Sequence, residues 1–148
     1  MKKIKLLTFT VLALTIISFK AKSLDKIEKD NNEIIGTWIR KTEQKSSEKS
    51  VTDNILEISF KKNLTAKIKV TDTAGTKIIT GKWSSDKTEN YTKAVEPTIK
   101  KLFGENFKSQ VVLEYLRNGK GLNIIGFSLE QTENGLVLKA GTLVFEKK

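Results

Sequence analysis

The chain has 148 residues, contains neither histidine nor cysteine, and carries a formal net charge of +10 at pH 7. Lack of these two residue types excludes disulfide bonds, imidazole or thiol catalysis and ordinary zinc or copper sites. Arg40 and Arg117 are the only arginines of the sequence, and because bidentate phosphate contacts favour arginine, we do not expect nucleic-acid binding.

The first 23 residues have the layout of a secretory signal peptide, with Lys2, Lys3 and Lys5 ahead of an apolar run of 14 residues over 6–19. A membrane-spanning helix needs roughly 20 residues, so we expect cleavage after Ser23 rather than an uncleaved anchor. The protein is then exported, to the periplasm or the extracellular space. Residues 24–148 form a single domain with a net charge of +5, because five lysines and no acidic residue lie in the leader.

Residues 24–33 are charged and predict a short helical turn or an irregular lead-in before a first strand that ends near 42. Alternation with a period of two predicts further strands over 54–60, 64–71 and 77–84. On the second strand we expect Leu56, Ile58 and Phe60 to share one face. The hairpin that follows needs a left-handed residue, and we assign that conformation to Asn63.

One helix is predicted between the fourth and fifth strands. Its apolar stripe consists of Val95, Ile99, Leu102 and Phe103. Proline is tolerated in the first turn of a helix, so Pro97 predicts a start near residue 96 and an end near 104.

Runs over 110–117, 122–131 and 135–146 predict three more strands. Both faces of these strands are partly apolar, so we expect the helix or the lead-in to cover their outer side. Seven strands are recognisable, and we expect an eighth in residues 86–92 or from a split of the last run at Gly141.

These elements predict an all-β domain with one short helix. Closure into an antiparallel up-and-down barrel removes the exposed edges that an open meander would leave. A two-sheet β-sandwich is the alternative.

Two short motifs, Gly36-Thr37-Trp38 on the first strand and Gly81-Lys82-Trp83 on a later one, resemble those of the lipocalins and the wider calycin group. The resemblance implies a lipocalin-like barrel whose floor is closed by Trp38, with Gly36 allowing close backbone approach. Lipocalins stack an arginine of the last strand over this tryptophan, and we expect no counterpart of it in residues 143–148.

An eight-stranded barrel is just wide enough to be filled by side chains or to hold one small molecule. The candidate ligand-binding residues are the apolar inward positions Trp38, Phe60, Ile68, Trp83, Leu113, Tyr115 and Phe127. Carboxylates form no tight constellation, since Glu57, Glu114 and Glu130 fall on outer faces. We therefore predict no enzyme activity, catalytic residue, metal site or cofactor.

The sequence predicts a non-catalytic binding protein that carries a small hydrophobic ligand in its barrel. The alternative is a filled barrel that binds another protein or the cell envelope through loops 43–53 and 85–109. The mildly basic surface is compatible with peripheral association with the envelope.

Overall fold

A computed structural model describes residues 24–41, 54–91, 95–106, 109–116 and 121–148. The predicted signal peptide and the whole loop over 43–53 lie outside the described residues. Residues 24–30 form helix α1. The remaining elements are β1 Gly36–Arg40, β2 Ile55–Phe60, β3 Thr65–Asp72, β4 Gly75–Ser85, α2 Glu96–Phe103, β5 Val111–Leu116, β6 Leu122–Thr132, β7 Gly135–Ala140 and β8 Leu143–Lys147.

The strands form a closed antiparallel barrel in which each pairs with the next and β1 pairs with β8. Closure is made by three residue pairs, among them Trp38 opposite Lys147. The all-β up-and-down barrel is confirmed, and the two-sheet sandwich is wrong. The eighth strand comes from a split of the last run, where Gly141 has the positive φ of +59° that a tight turn between β7 and β8 requires.

Strand β3 follows the predicted alternation. Ala66, Ile68 and Val70 are buried inside the barrel, while Lys67 and Lys69 are exposed on its outer surface. The burial of one face only is what the period of two predicted, and it gives the barrel one continuous apolar core.

Strand β2 departs from the prediction at its start. A register irregularity lies between Ile55 and Glu57, so the extra residue, Leu56, turns outward and is 36% exposed, while Ile55 is 1% exposed. The assignment of Leu56 to the inward face is therefore wrong, because a bulge shifts the side chains that precede it to the opposite face.

The hairpin between β2 and β3 also differs from the prediction. Leu64, not Asn63, has the positive φ, at +61°. Asn63 instead accepts hydrogen bonds at its Oδ1 from the backbone N–H and the hydroxyl of Thr65, at 3.2 and 2.6 Å. The side chain of asparagine thus fixes the turn through local hydrogen bonds rather than through its own backbone conformation.

Helix α2 packs on the outside of the barrel, as the two-sided apolar pattern of β5 and β6 predicted. Val95 and Ile99 are buried against Val112 of β5, with Tyr91 and Ile124 partly buried beside them. This second cluster is separate from the core inside the barrel. No helix in the described segments is both long and apolar enough to cross a membrane.

The barrel has two ends, which we name the floor and the mouth. The floor is the end where β1 begins at Gly36 and β8 ends at Lys147, and the chain enters it from α1. The mouth is the opposite end, where β1 ends at Arg40, β8 begins at Leu143 and the turn over 73–74 joins β3 to β4.

Candidate functional site

Trp38 lies at the floor and is completely buried. Its indole Nε1 donates a hydrogen bond of 2.8 Å to the backbone carbonyl of Ile34, in the segment that leads from α1 into β1. A buried indole N–H needs such a partner. This hydrogen bond therefore holds the lead-in segment against the base of the barrel.

Lys147 of β8 covers the same ring. Its Nζ lies 5.5 Å from the ring centroid of Trp38 and donates to the carbonyl oxygens of Asn32 and Glu33, at 3.1 and 2.9 Å. Burial lowers the pKa of the Lys147 ammonium, and the charge of Glu33 opposes that shift. Residues 143–148 contain no arginine, and the cation that lies over this tryptophan is the lysine at position 147.

Gly36 makes room for this lysine. It has a φ of +135°, and a Cβ there would lie 3.0 Å from Cε of Lys147. The glycine of the first motif thus allows close approach, as the resemblance implied, although the group that approaches is a side chain rather than the backbone.

The second motif lies on β4, near the floor. Trp83 is buried, and its Nε1 donates a hydrogen bond of 2.8 Å to the carbonyl of Lys61 in the hairpin between β2 and β3. At Gly81 an added Cβ would lie 2.7 Å from the carbonyl oxygen of Glu114. Both tryptophans therefore satisfy their N–H groups on backbone carbonyls at the floor.

Aromatic rings meet across the interior. The ring centroids of Phe60 and Trp83 are 5.6 Å apart, those of Phe60 and Phe127 6.3 Å, and those of Phe127 and Phe145 6.0 Å, all in edge-to-face arrangements. These contacts join β2, β4, β6 and β8. Side chains therefore occupy the centre of the barrel at this level.

All of the predicted ligand-binding residues are buried in the same core cluster: Trp38, Phe60, Ile68, Trp83, Leu113, Tyr115 and Phe127. The structure thus brings them together. Phe60, Trp83 and Phe127, whose rings contact one another, serve as core packing.

Inward positions at the mouth differ from those below them. They include the polar residues Arg40, Asp72, Lys77 and Asn123, which share faces with buried residues of β1, β3, β4 and β6. None of these four is among the candidate ligand-binding residues predicted from the sequence, which are apolar or aromatic. Their inward orientation could have been recognised from the sequence. Residues two positions apart on a strand point to the same face, and each of these residues lies two positions from an apolar inward residue.

Among the residues that the structure describes, grooves lie on the outside of the barrel. One, with a volume of ≈ 560 Å³, is lined by α2 and the segments around it, including Tyr91, Glu96 and Ser109. The other, of ≈ 280 Å³, lies between α1 and residues 87–90. In the larger groove the Tyr91 hydroxyl donates to the carbonyl of Ser109 at 3.0 Å, and burial, followed by the charges of Glu96 and Asp86, raises the pKa of Tyr91.

Glu130 of β6 is one of the acidic residues that the sequence placed on outer faces. Glu130 pairs with Lys139, and this hydrogen bond lowers the pKa of the Glu130 carboxyl. Within the part of the chain that the structure describes, no group of three or more acidic side chains could hold a metal ion.

Comparison with known proteins gives no relative: no family model, no curated protein and no solved structure matches the chain.

Proposed function

We propose that this protein is an exported, non-catalytic binding protein of lipocalin-like type, and that it holds a small hydrophobic or amphipathic ligand in the mouth half of its barrel. The single observation that carries the proposal is the contrast between the two halves of the interior. Near the floor, aromatic rings contact one another; towards the mouth, the inward positions include polar side chains such as Lys77 and Asn123 beside shorter apolar ones such as Val70 and Leu143.

The arrangement of Trp38 and Lys147 at the floor supports a relationship to the lipocalins. In those proteins the first tryptophan closes the base of the barrel under an arginine of the last strand. Here Trp38 is buried at the base, with the ammonium of Lys147 over its ring. Lysine provides the same positive charge and can donate to the same kind of backbone acceptor, although it lacks the planar guanidinium.

A carrier role fits the mouth better than the floor. Ala140 of β7 is inward-facing and opposite Leu143 of β8, so the mouth half has a small side chain at this position. Ligand sites are mostly apolar with a few polar groups that fix orientation. The mouth half has that composition, with Ile55 and Val70 among its apolar residues.

The experiment is a titration of the purified domain with a fluorescent fatty-acid probe, 11-(dansylamino)undecanoic acid. Ala140→Phe fills the mouth half and is expected to reduce probe affinity by about tenfold or more, a loss of about 1.4 kcal/mol. Thr76→Phe adds the same ring on the exposed outer face of β4 and is the matched control. Equal binding by both variants, or no binding by the parent protein, would contradict the proposal.

A second candidate function is supported by a different observation. Leu116 and Leu122 are directly opposite on β5 and β6, and Ile78 lies on the adjacent strand β4; their exposed fractions are 53%, 59% and 68%. Apolar side chains grouped on an outer surface favour a protein-binding face. Pull-down from envelope extracts with the parent and with Leu116→Lys tests this, and equal recovery of partners would exclude this face.

A further inference from the structure

Strand β4 is longer than the strand beside it. It has 11 residues and β5 has 6. The two strands pair only over Gly81–Ser85 of β4, whereas β3 pairs with β4 from Gly75 to Lys82. Within the described residues, positions 75–80 of β4 therefore have a strand partner on one side only, and we call their other side the free edge of β4.

The backbone groups on the free edge belong to the even-numbered residues. Successive residues of a strand direct their N–H and C=O groups to opposite sides. The N–H of Trp83 donates to the carbonyl of Leu64, just before β3, and the N–H of Asp86 donates to the carbonyl of Gln110, just before β5, at 3.0 and 3.2 Å. Even-numbered residues of β4 thus face the side of β5, which no described strand occupies at 75–80.

The free edge lacks the features that usually prevent strand addition. Natural sheets protect such edges with charged side chains, prolines or bulges. Pairing of this segment with β3 contains no bulge, and the outward residues are Thr76, Ile78 and Thr80, all exposed, with Ile78 at 68%. The one lysine here, Lys77, is paired with Asp72. The edge can therefore accept another strand.

Strand β6 shows how this protein covers an edge of the same kind. Its pairing with β5 ends at Phe127, and just beyond, the N–H of Leu129 donates to Oε1 of Gln110. The glutamine side chain takes the place of a neighbouring strand. No hydrogen bond of this kind reaches the backbone of Thr76 or Ile78 within the segments that the structure describes.

A second copy of the same strand fits the free edge. An added strand satisfies the backbone groups, and side chains at alternate positions decide which strand is accepted. The outward residues Thr76, Ile78 and Thr80 read the same in both directions about Ile78. In a two-fold antiparallel pair centred there, isoleucine is opposite isoleucine and each threonine is opposite a threonine. Threonine pairs and apolar pairs are both favourable when directly opposite.

The other registers are excluded by charge or by occupied positions. Centred on Ile78, the pair places Lys77 opposite Ile79, so no like charges meet. Centred on Lys77, it would place two ammonium groups opposite each other, which is unfavourable. Centred on Ile79, it would require Gly81, which is already paired with Tyr115 of β5. One register thus remains.

We propose that two copies of this protein associate through the free edges of their β4 strands, in an antiparallel pair centred on Ile78 that makes one sheet continuous across two barrels. This inference rests on the second candidate function, the exposed apolar face that includes Ile78, and names a second copy of the chain as the partner. The pair removes that side chain from water in both copies.

Light scattering on the purified protein measures its mass across a dilution series. We expect a dimer at the concentrated end that dissociates on dilution. Ile78→Lys puts like charges directly opposite at the centre of the pair and should raise the dissociation constant about tenfold or more. Leu102→Lys is the matched control, because Leu102 is an exposed apolar residue on α2, and it should leave the dimer unchanged.

Cross-linking tests the register. The chain contains no cysteine, so introduced cysteines report only the positions chosen. Directly opposite residues have Cα atoms about 5.5 Å apart, within the range of a disulfide. On mild oxidation, Ile78→Cys should cross-link to itself, whereas Thr76→Cys should cross-link efficiently only when it is mixed with Thr80→Cys.

The outcomes separate this inference from the function on which it rests. A monomeric mass at every concentration would overturn it and leave the second candidate function to the pull-down test. A dimer that Ile78→Lys does not weaken, or in which Ile78→Cys does not cross-link, would place the interface elsewhere and overturn it as well.

Discussion

The ammonium of Lys147 lies over the indole ring of Trp38, 5.5 Å from its centroid, and connects the last strand of the barrel to the first. The same ammonium donates to the carbonyls of Asn32 and Glu33, while the indole donates to the carbonyl of Ile34. One lysine and one tryptophan thus join β8, β1 and the lead-in segment where the barrel closes.

Replacing Lys147 by methionine should lower the free energy of unfolding by about 1 kcal/mol. The substitution keeps an unbranched apolar stem but removes the cation–π contact and the two charged hydrogen bonds, whose worth is reduced by their exposure to solvent. Urea unfolding followed by tryptophan fluorescence measures the change.

Lys148→Met is the control for Lys147→Met, since Lys148 is exposed and follows the last strand. Lys147→Arg should retain most of the stability, because a guanidinium stacks on an indole and donates to carbonyls. A loss in the arginine variant as large as in the methionine variant would contradict the role assigned to the charge.

Much of the fold could be predicted from the sequence because the barrel buries one face of most strands. The alternation of apolar and polar residues predicted β3 and β4 and their inward residues. The apolar residues on both faces of β5 predicted that a further element covers its outer side, and α2 packs there against Val112. Leu56 was misplaced because a bulge is a register effect between two strands, and one strand's periodicity contains no information about its partner.

The candidate site was less predictable, for a different reason. The apolar interior residues follow from periodicity, but whether they line a cavity or contact one another depends on distances across the barrel, such as that between Phe60 and Trp83. The inward charges at the mouth, Arg40 and Lys77, become recognisable only when the register shows buried residues opposite them.

Gly81→Ala should destabilise the barrel by about 3 kcal/mol. The new methyl group would lie 2.7 Å from the carbonyl oxygen of Glu114 and 3.2 Å from Cβ of Tyr115, and neither backbone atom nor Cβ can move without shifting β5. Thr80→Ala, at the exposed neighbouring position, should cost well under half as much. Thermal and urea unfolding of the two variants measure the difference, and equal losses would contradict the steric explanation.

Asn31→Ala should release α1 from the barrel. Asn31 is buried; its Nδ2 donates to the carbonyl of Ile27 at 3.0 Å, and its Oδ1 accepts from the hydroxyl of Ser85 at the end of β4. Loss of these bonds leaves buried polar groups without partners and should cost about 2 kcal/mol.

A double-mutant cycle tests the connection between Asn31 and Ser85. Asn31→Ala and Ser85→Ala should show a coupling of about 1 kcal/mol, because each removes the same hydrogen bond. Asn32→Ala changes an exposed side chain next to it and should have little effect. Additive losses in the cycle would show that the two residues act independently.

Burial and the charges of Glu96 and Asp86 raise the pKa of Tyr91 above the ordinary tyrosine value of 10.0. The free energy of unfolding should therefore depend on pH above pH 10. Between pH 10 and the raised value, the folded protein keeps a proton that the unfolded chain loses. The contribution of Tyr91 to stability is therefore fully present below pH 10 and decreases as the pH rises through this window. Tyr91→Phe should lack this component of the decrease.

The titration itself can be measured by phenolate absorbance at about 295 nm, as the difference between the parent protein and Tyr91→Phe. We expect a midpoint above 10.0 that Glu96→Gln moves downward, because it removes the larger of the two charges that raise the pKa. Lys100→Met should move it upward, since the Lys100 ammonium lowers the pKa of Tyr91. Because the two substitutions act in opposite directions through one phenol, a midpoint that neither of them moves would show that Tyr91 does not sense the charges of this groove.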